Sequence, residues 1–268
     1  MIKLIATDID GTFLSTAHTY DKECFDRLFE RLLQQDIHFA IASGNQFACM
    51  YNTYLPFSRH MYFICDNGAI LGYGDRTLAY STMKPEHVRQ LLQAVQPYEE
   101  LVMLMSCVEH SYILKEHQDM QEMLEHYFTN MILVDDLSAV REPVLKCSLI
   151  DPANNVIQYL DDLVSNIFGD LNAVTAGNEC IDIMPKDISK GSGIRRLQEI
   201  LDIRPEECMC FGDQMNDWSM FPAVKYSYAM ENAVQPLKDI AWGIAPHCDE
   251  SGVLQVIEHM LDHPEEYQ

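Results

Sequence analysis

Asp8 and Asp10 stand one residue apart in the stretch Ala6-Thr7-Asp8-Ile9-Asp10-Gly11-Thr12, directly behind the apolar run Leu4-Ile5-Ala6. Two like charges at the mouth of a strand repel each other, so the pair calls for a chemical reason. A carboxylate at the carboxyl end of a parallel strand sits where open α/β sheets bind ligands. Such a group can act as a nucleophile and form an acyl-phosphate. Two neighbouring carboxylates can also hold Mg²⁺, which takes hard oxygen ligands and offsets their repulsion. Gly11 permits a sharp turn that aims backbone N–H groups at a phosphate. The competing reading is a plain turn after a strand, because Asp and Gly are common turn residues.

Three further stretches point to the same chemistry. Ile41-Ala42-Ser43-Gly44-Asn45 ends a second strand-like run with a hydroxyl and a free amide. Alone, Ser43 would read as the N-cap of the next helix. Ser189-Lys190-Gly191-Ser192-Gly193 places a basic residue at a helix start. That opposes the helix dipole and makes sense if Lys190 meets an anion; a solvated surface lysine is the alternative. Cys210-Phe211-Gly212-Asp213-Gln214-Met215-Asn216-Asp217 ends another strand-like run with Asp213, followed by Asn216 and Asp217. A capped helix start would also explain it. In order along the chain, the four stretches are more specific together than any one of them.

The elements that must position these residues alternate. Residues 2–7, 38–43 and 61–65 read as short buried strands. The segment 20–35 places Phe25, Leu28, Phe29, Leu32 and Leu33 on one helical face. The segment 46–55 reads as helix and 69–82 as a hairpin around Gly74-Asp75. Helices are expected over 86–96, 117–128 and 153–168, and strands near 101–106, 111–115 and 179–185. Residues 144–151 alternate as a half-buried strand would. After Lys190 the helix–strand alternation resumes. This predicts an α/β, Rossmann-like core with a parallel sheet and helical crossovers. The core domain is formed by residues 1–83 and 184–268, with an α+β unit, 84–183, inserted between them.

The four motifs resemble those of the haloacid dehalogenase-like (HAD) phosphatases, in particular the Cof-type branch with a large class IIB (C2B-type) cap. Asp66-Asn67-Gly68-Ala69-Ile70 is similar to the loop preceding that cap, and 42–46 and 225–233 are most similar to the branch's sugar-phosphate phosphatases. The resemblance covers essentially the whole chain and is weakest in the cap. It implies a hydrolase, a phosphoric monoester phosphatase. Asp8 would be the nucleophile, and Asp10 the acid that protonates the leaving alkoxide and then the base that activates water. Mg²⁺ would be held by Asp8, the backbone carbonyl of Asp10, and Asp213. Ser43, Gly44, Lys190 and Asn216 would bind phosphate, and Asp217 would stand behind the metal ligands. The chain departs from the family at Asn45, where many relatives carry Arg, so its phosphate site has one cation fewer.

The implied substrate is a small phosphorylated metabolite, with sugar phosphates first. A phosphomutase sharing the aspartyl-phosphate, and a non-catalytic phosphometabolite-binding protein, are the other readings; a binding-only site would not need the acid. An oxidoreductase is disfavoured because no GxGxxG follows the first strand.

Composition agrees. The formal charge of −23 comes from 18 basic against 41 acidic residues, a surface that repels nucleic acid and anionic membranes. Nine cysteines without a CxxC pair suggest a reduced, cytoplasmic protein, with Cys208 and Cys210 on a buried strand. Asp8 lies too near the first residue for a signal peptide. His259 and His263, at helical spacing, read as a solvated face, and Trp218 as a packing residue.

Overall fold

The computed structural model describes residues 1–125, 128–153, 155–159, 170–176 and 180–268. Two sheets organise it. The larger has eight strands in the order β14-β13-β12-β1-β2-β3-β4-β5. Its centre is β1 (Leu4–Thr7), flanked by β12 (Cys208–Gly212) and β2 (His38–Ala42). Next come β13 (Tyr226–Met230) and β14 (Gly243–Ala245) on one side, and β3 (Tyr62–Cys65) on the other. These six strands pair in parallel. The hairpin of β4 (Ile70–Tyr73) and β5 (Arg76–Tyr80) continues the sheet antiparallel to β3. Helices α1 (Lys22–Gln34), α2 (Phe47–Thr53), α4 (Lys190–Leu201), α5 (Gln235–Ile240) and α6 (Gly252–Asp262) belong to this layer of the chain. Every residue of β1 and β12 is buried, which explains their unbroken apolar runs. Cys208 and Cys210 are buried there, and all nine cysteines are thiols outside any disulfide.

The second sheet is mixed, in the order β10-β11-β9-β6-β7-β8. It comprises β6 (Val102–Cys107), β7 (Ser111–Leu114), β8 (Met131–Val134), β9 (Val144–Ile150), β10 (Leu171–Ala176) and β11 (Cys180–Pro185), with α3 (Pro85–Val95) packed through Leu91 into its core. The architecture is thus a parallel-sheet α/β core with an α+β cap.

Local expectations failed in identifiable places. Leu33, expected on the buried face of α1, is 46% exposed. At 3.6 residues per turn it lies roughly 80° from Phe25, whereas Leu28, Phe29 and Leu32 stay closer and are buried. Strand β9 alternates in sequence, yet all its residues are buried. Cys147 and Leu149 join the cap's apolar cluster, while Lys146 and Ser148 lie on the other face, where they meet polar partners. The helix expected over 117–128 is a 3₁₀ run, Lys115–Met120, leading into one α-turn, Gln121–Leu124. The helix expected over 153–168 lies mostly outside the described residues. Among the described residues, no helix is long and apolar enough to cross a membrane.

Candidate active site

The site forms where adjacent parallel strands end. Asp8 follows β1, Ser43 follows β2, Asp66 follows β3 and Asp213 follows β12. Parallel register puts all four at the same edge. The Asp8 backbone N–H donates to Phe211 O at 3.0 Å, which locks the two carboxylate-bearing loops together. Gly11 turns the first loop with φ +75°, and a Cβ there would stand 2.6 Å from Asp213 Oδ2. Only glycine satisfies both demands. Thr12 Oγ1 donates to Asp213 Oδ1 at 3.0 Å.

Lys190 begins α4. Ser189 caps that helix, its Oγ accepting from Ser192 N while Ser192 Oγ accepts from Ser189 N. A lysine in the first turn opposes the helix dipole. Here two carboxylates answer it: Lys190 Nζ donates to Asp8 Oδ1 at 2.5 Å and to Asp217 Oδ1 at 2.6 Å. Burial works against the ammonium charge, but Asp217 and Asp8 outweigh it and raise the Lys190 pKa. Lys190 therefore enters the site as a cation.

Asp8, Asp213 and Asp217 offer oxygens within 4.8 Å of one another. Burial, then Asp217, push Asp8 well above the usual carboxylate range, with Lys190 opposing. The same two causes push Asp213 up to about 6. Lys190 offsets this only in part, and oxygen-only donors are what a hard divalent cation takes. The acidic triad therefore fits a metal site. Within it Asp217 is a brace: its Oδ2 accepts from the backbone N–H of Asp213 at 2.9 Å and of Gln214 at 3.1 Å, and its Oδ1 from Lys190. Its side chain is wholly buried, whereas 11% of the Asp8 side chain stays open. Asp8 is the most open of the three, at 8% against 4% for Asp213 and 0% for Asp217.

The shift of Asp213 sets a sign. Unfolded, the carboxyl titrates near 3.8; folded, near 6. A raised pKa means that folding favours the protonated form. Its contribution is full below the unfolded value and is lost as pH rises through about 6. In EDTA, the melting temperature of Asp213→Asn relative to the parent should therefore climb as pH rises from about 4 to about 7. Mg²⁺ should reverse that gain by stabilising only the parent. A difference independent of pH would remove the strained-carboxylate account.

Asp10 stands apart. Its carboxylate is half exposed, 3.4 Å from His18 Nδ1, and is not in the triad. Strand β1 ends at Thr7, and the chain is already turning at Ile9, between the two carboxylates. Ser43 is buried, and its Oγ accepts from Asn45 N at 3.1 Å. Gly44 packs beside Asn67, with 3.4 Å from an imagined Cβ to the Asn67 amide. The Asn216 Oδ1 is buried with no hydrogen-bond partner among the described residues. Trp218 is 39% exposed at the surface. The rings of His259 and His263 lie 4.6 Å apart, tilted by 40°, and His259 pairs with Glu266.

The motifs did not reveal every support. Asn232 Nδ2 donates to Gly11 O at 2.7 Å, and its Oδ1 accepts from Cys248 N at 3.1 Å. It braces the first loop from 221 positions away. Its stretch had shown only a family likeness, with no role attached.

A buried lysine, an acidic cluster and a hydroxyl-bearing loop, set on a parallel sheet beneath a cap, define a class of metal-assisted phosphatases. The family profile of haloacid dehalogenase-like hydrolases matches residues 5–257, and the chain belongs to that family. It is a phosphatase of this type, acting on small phosphorylated metabolites. The 5-amino-6-(5-phospho-D-ribitylamino)uracil phosphatase of Escherichia coli K12 is 28% identical over 98% of this chain and 97% of its own length. A solved Streptococcus mutans structure superposes with a TM-score of 0.89 at 29% identity, covering 98% of this chain and all of that one. A subclass IIB sugar phosphatase of the HAD superfamily has a TM-score of 0.82 at 19% identity, over 96% of this chain and 98% of that one, which matches the fold.

Proposed function

We propose that this protein is a Mg²⁺-dependent phosphomonoesterase working through an aspartyl-phosphate on Asp8, with sugar phosphates or similar phosphorylated polyols as substrates. The observation that carries this reading is the ion pair of Lys190 with Asp8, 2.5 Å long, at the carboxyl end of the central strand. A purely structural carboxylate would not keep part of its surface open at that edge. Asp8, the Asp10 carbonyl and Asp213 would hold Mg²⁺, whose charge would draw the phosphate dianion to a chain of charge −23. Lys190, Ser43, the Gly44 amide and Asn216 would bind the phosphate oxygens. Asp8 would attack phosphorus in line with the leaving alkoxide, which Asp10 would protonate. Asp10 would then take a proton from water as that water cleaves the aspartyl-phosphate. Asp10's exposure suits this, because it must meet both leaving group and solvent.

The division into a core of 1–83 and 184–268 and a cap of 84–183 is part of the proposal. Supporting it, the eight core strands fall within 4–80 and 208–245, and the six others within 102–185, the last of them running two residues past the proposed boundary. The preference for polyol phosphates rests on the motif likeness and on the phosphoribityl group in the name of the Escherichia coli relative. Nine cysteines, all outside disulfides, favour a cytoplasmic setting.

The deciding experiment is a phosphate-release screen over phosphorylated sugars, sugar alcohols and nucleotides, run in EDTA and in Mg²⁺. Mg²⁺-dependent release from sugar or polyol phosphates is expected. Equal release in EDTA would rule out the metal. Isomerisation of a hexose phosphate activated by its bisphosphate, with little release, would make the protein a mutase.

A further inference from the structure

Two lysines are buried among the described residues, Lys190 and Lys146. The phosphatase scheme uses the first and has no task for the second. Lys146 lies on β9 of the cap and is 2% exposed. Its Nζ donates to Asp182 Oδ2 at 2.8 Å and to the backbone carbonyl of Gly44 at 2.8 Å. Asp182, on the neighbouring strand β11, also accepts from Ser148 Oγ and from Asn67 Nδ2, each at 2.6 Å. A cap ion pair thus reaches two loops of the core.

As a mere fastener this pair makes poor sense. Desolvating two charges costs about as much as their attraction returns, and apolar side chains of similar volume would hold the layers as well. What Lys146 touches is more telling. The carbonyl of Gly44 and the N–H of Asn45 belong to one planar peptide. Lys146 holds the carbonyl end, and the N–H donates to Ser43 Oγ at 3.1 Å. Turning one end turns the other. With Oγ accepting from that amide, the Ser43 hydroxyl keeps its own hydrogen for an outside acceptor. Asn45 brings no charge of its own to this loop. Through Asn67, Asp182 also meets the turn at Gly68, which lies so close to the Ser189 carbonyl that a Cβ would collide. Ser189 is the cap residue of the Lys190 helix.

We propose that Lys146, held by Asp182, is a positioning residue that sets the Ser43–Gly44–Asn45 loop for phosphate when the cap is docked. The proposal rests on the phosphatase reading. It couples closure of the cap to completion of the phosphate site without any cap group touching the phosphate.

The test uses the full chain, Lys146→Met and Asp182→Asn, with inorganic phosphate as the probe. Kinetics on several phosphate esters found by the screen are combined with the inhibition constant of phosphate in Mg²⁺ and with melting curves. Lys146→Met should lower kcat/KM by about tenfold or more for every ester alike, and should weaken phosphate inhibition by a similar factor. Asp182→Asn, nearly the same shape, should do so to a smaller extent and decides the matter if Lys146→Met does not fold. A purely structural role would lower the melting temperature and leave phosphate inhibition at the parental value; that result overturns the proposal. Reordering of the esters also overturns it, because Lys146 would then contact leaving groups. A parent that neither releases nor binds phosphate would instead bring down the phosphatase reading itself.

Discussion

Asp8→Asn is expected to lose phosphate release by at least about a thousandfold, a barrier increase of about 4 kcal/mol, while the protein stays folded. The substitution keeps the shape and removes the charge proposed to attack. It also removes one oxygen anion from the proposed metal site. Stability should respond differently from activity. The Asp8 carboxylate is disfavoured by burial first and by Asp217 second, and Lys190 only partly relieves it. An amide escapes that cost, and Lys190 retains Asp217 as its partner at 2.6 Å. In EDTA, Asp8→Asn should therefore melt no more than a few degrees below the parent, or above it. Phosphate release and thermal melts on the same preparation check both halves. Turnover within about tenfold of the parent would show that Asp8 is not the nucleophile.

Much of the site was legible because its residues lie in short local words. Asp8-Ile9-Asp10-Gly11-Thr12 holds a strand end, the proposed nucleophile and a turn within five positions, and the structure sets Asp8 at the edge where Ser43 and Asp213 also emerge. Lys190 could be singled out because it sits badly at a helix start. The remaining supports have no such local word. Lys146 and Gly44 are 102 positions apart, and Asn232 and Gly11 are 221. Lys146 and Ser148 alternate with apolar neighbours as on any solvent-facing strand. That pattern records a polar face but cannot say whether water or another domain covers it. Strands β8 and β10 went unrecognised because they lie at the edges of the cap sheet. Such strands are defined by pairing more than by pattern.

Asp217 shows the same limit within a motif. Spacing placed it near the metal ligands. The structure shows both its oxygens engaged, by Lys190 on one side and the Asp213 and Gln214 amides on the other. Sequence named the residue, and only the fold showed what it holds.

Lys190→Met should separate the two roles of that lysine. Without it, Asp8, Asp213 and Asp217 share a buried site within 4.8 Å with no cation among them. Removing one partner of a buried ion pair costs about 3–5 kcal/mol, because the charge left behind is uncompensated. For a chain of this length each kilocalorie is worth roughly 2–4 °C, so the melting temperature in EDTA should fall by roughly 6–20 °C. Mg²⁺ should recover a larger share of stability in this variant than in the parent, since it supplies the missing positive charge. Activity should not return, because the cation proposed to meet the phosphate beside Asp8 is still absent; a loss of at least about a hundredfold in kcat/KM, about 2.7 kcal/mol, is expected for every ester. Melting curves with and without Mg²⁺, paired with kinetics on several esters, read the two effects separately. A variant that melts like the parent in EDTA would mean that the triad carries too little charge to need Lys190. One that regains full turnover with Mg²⁺ would mean that Lys190 compensates the carboxylates and has no part in binding phosphate.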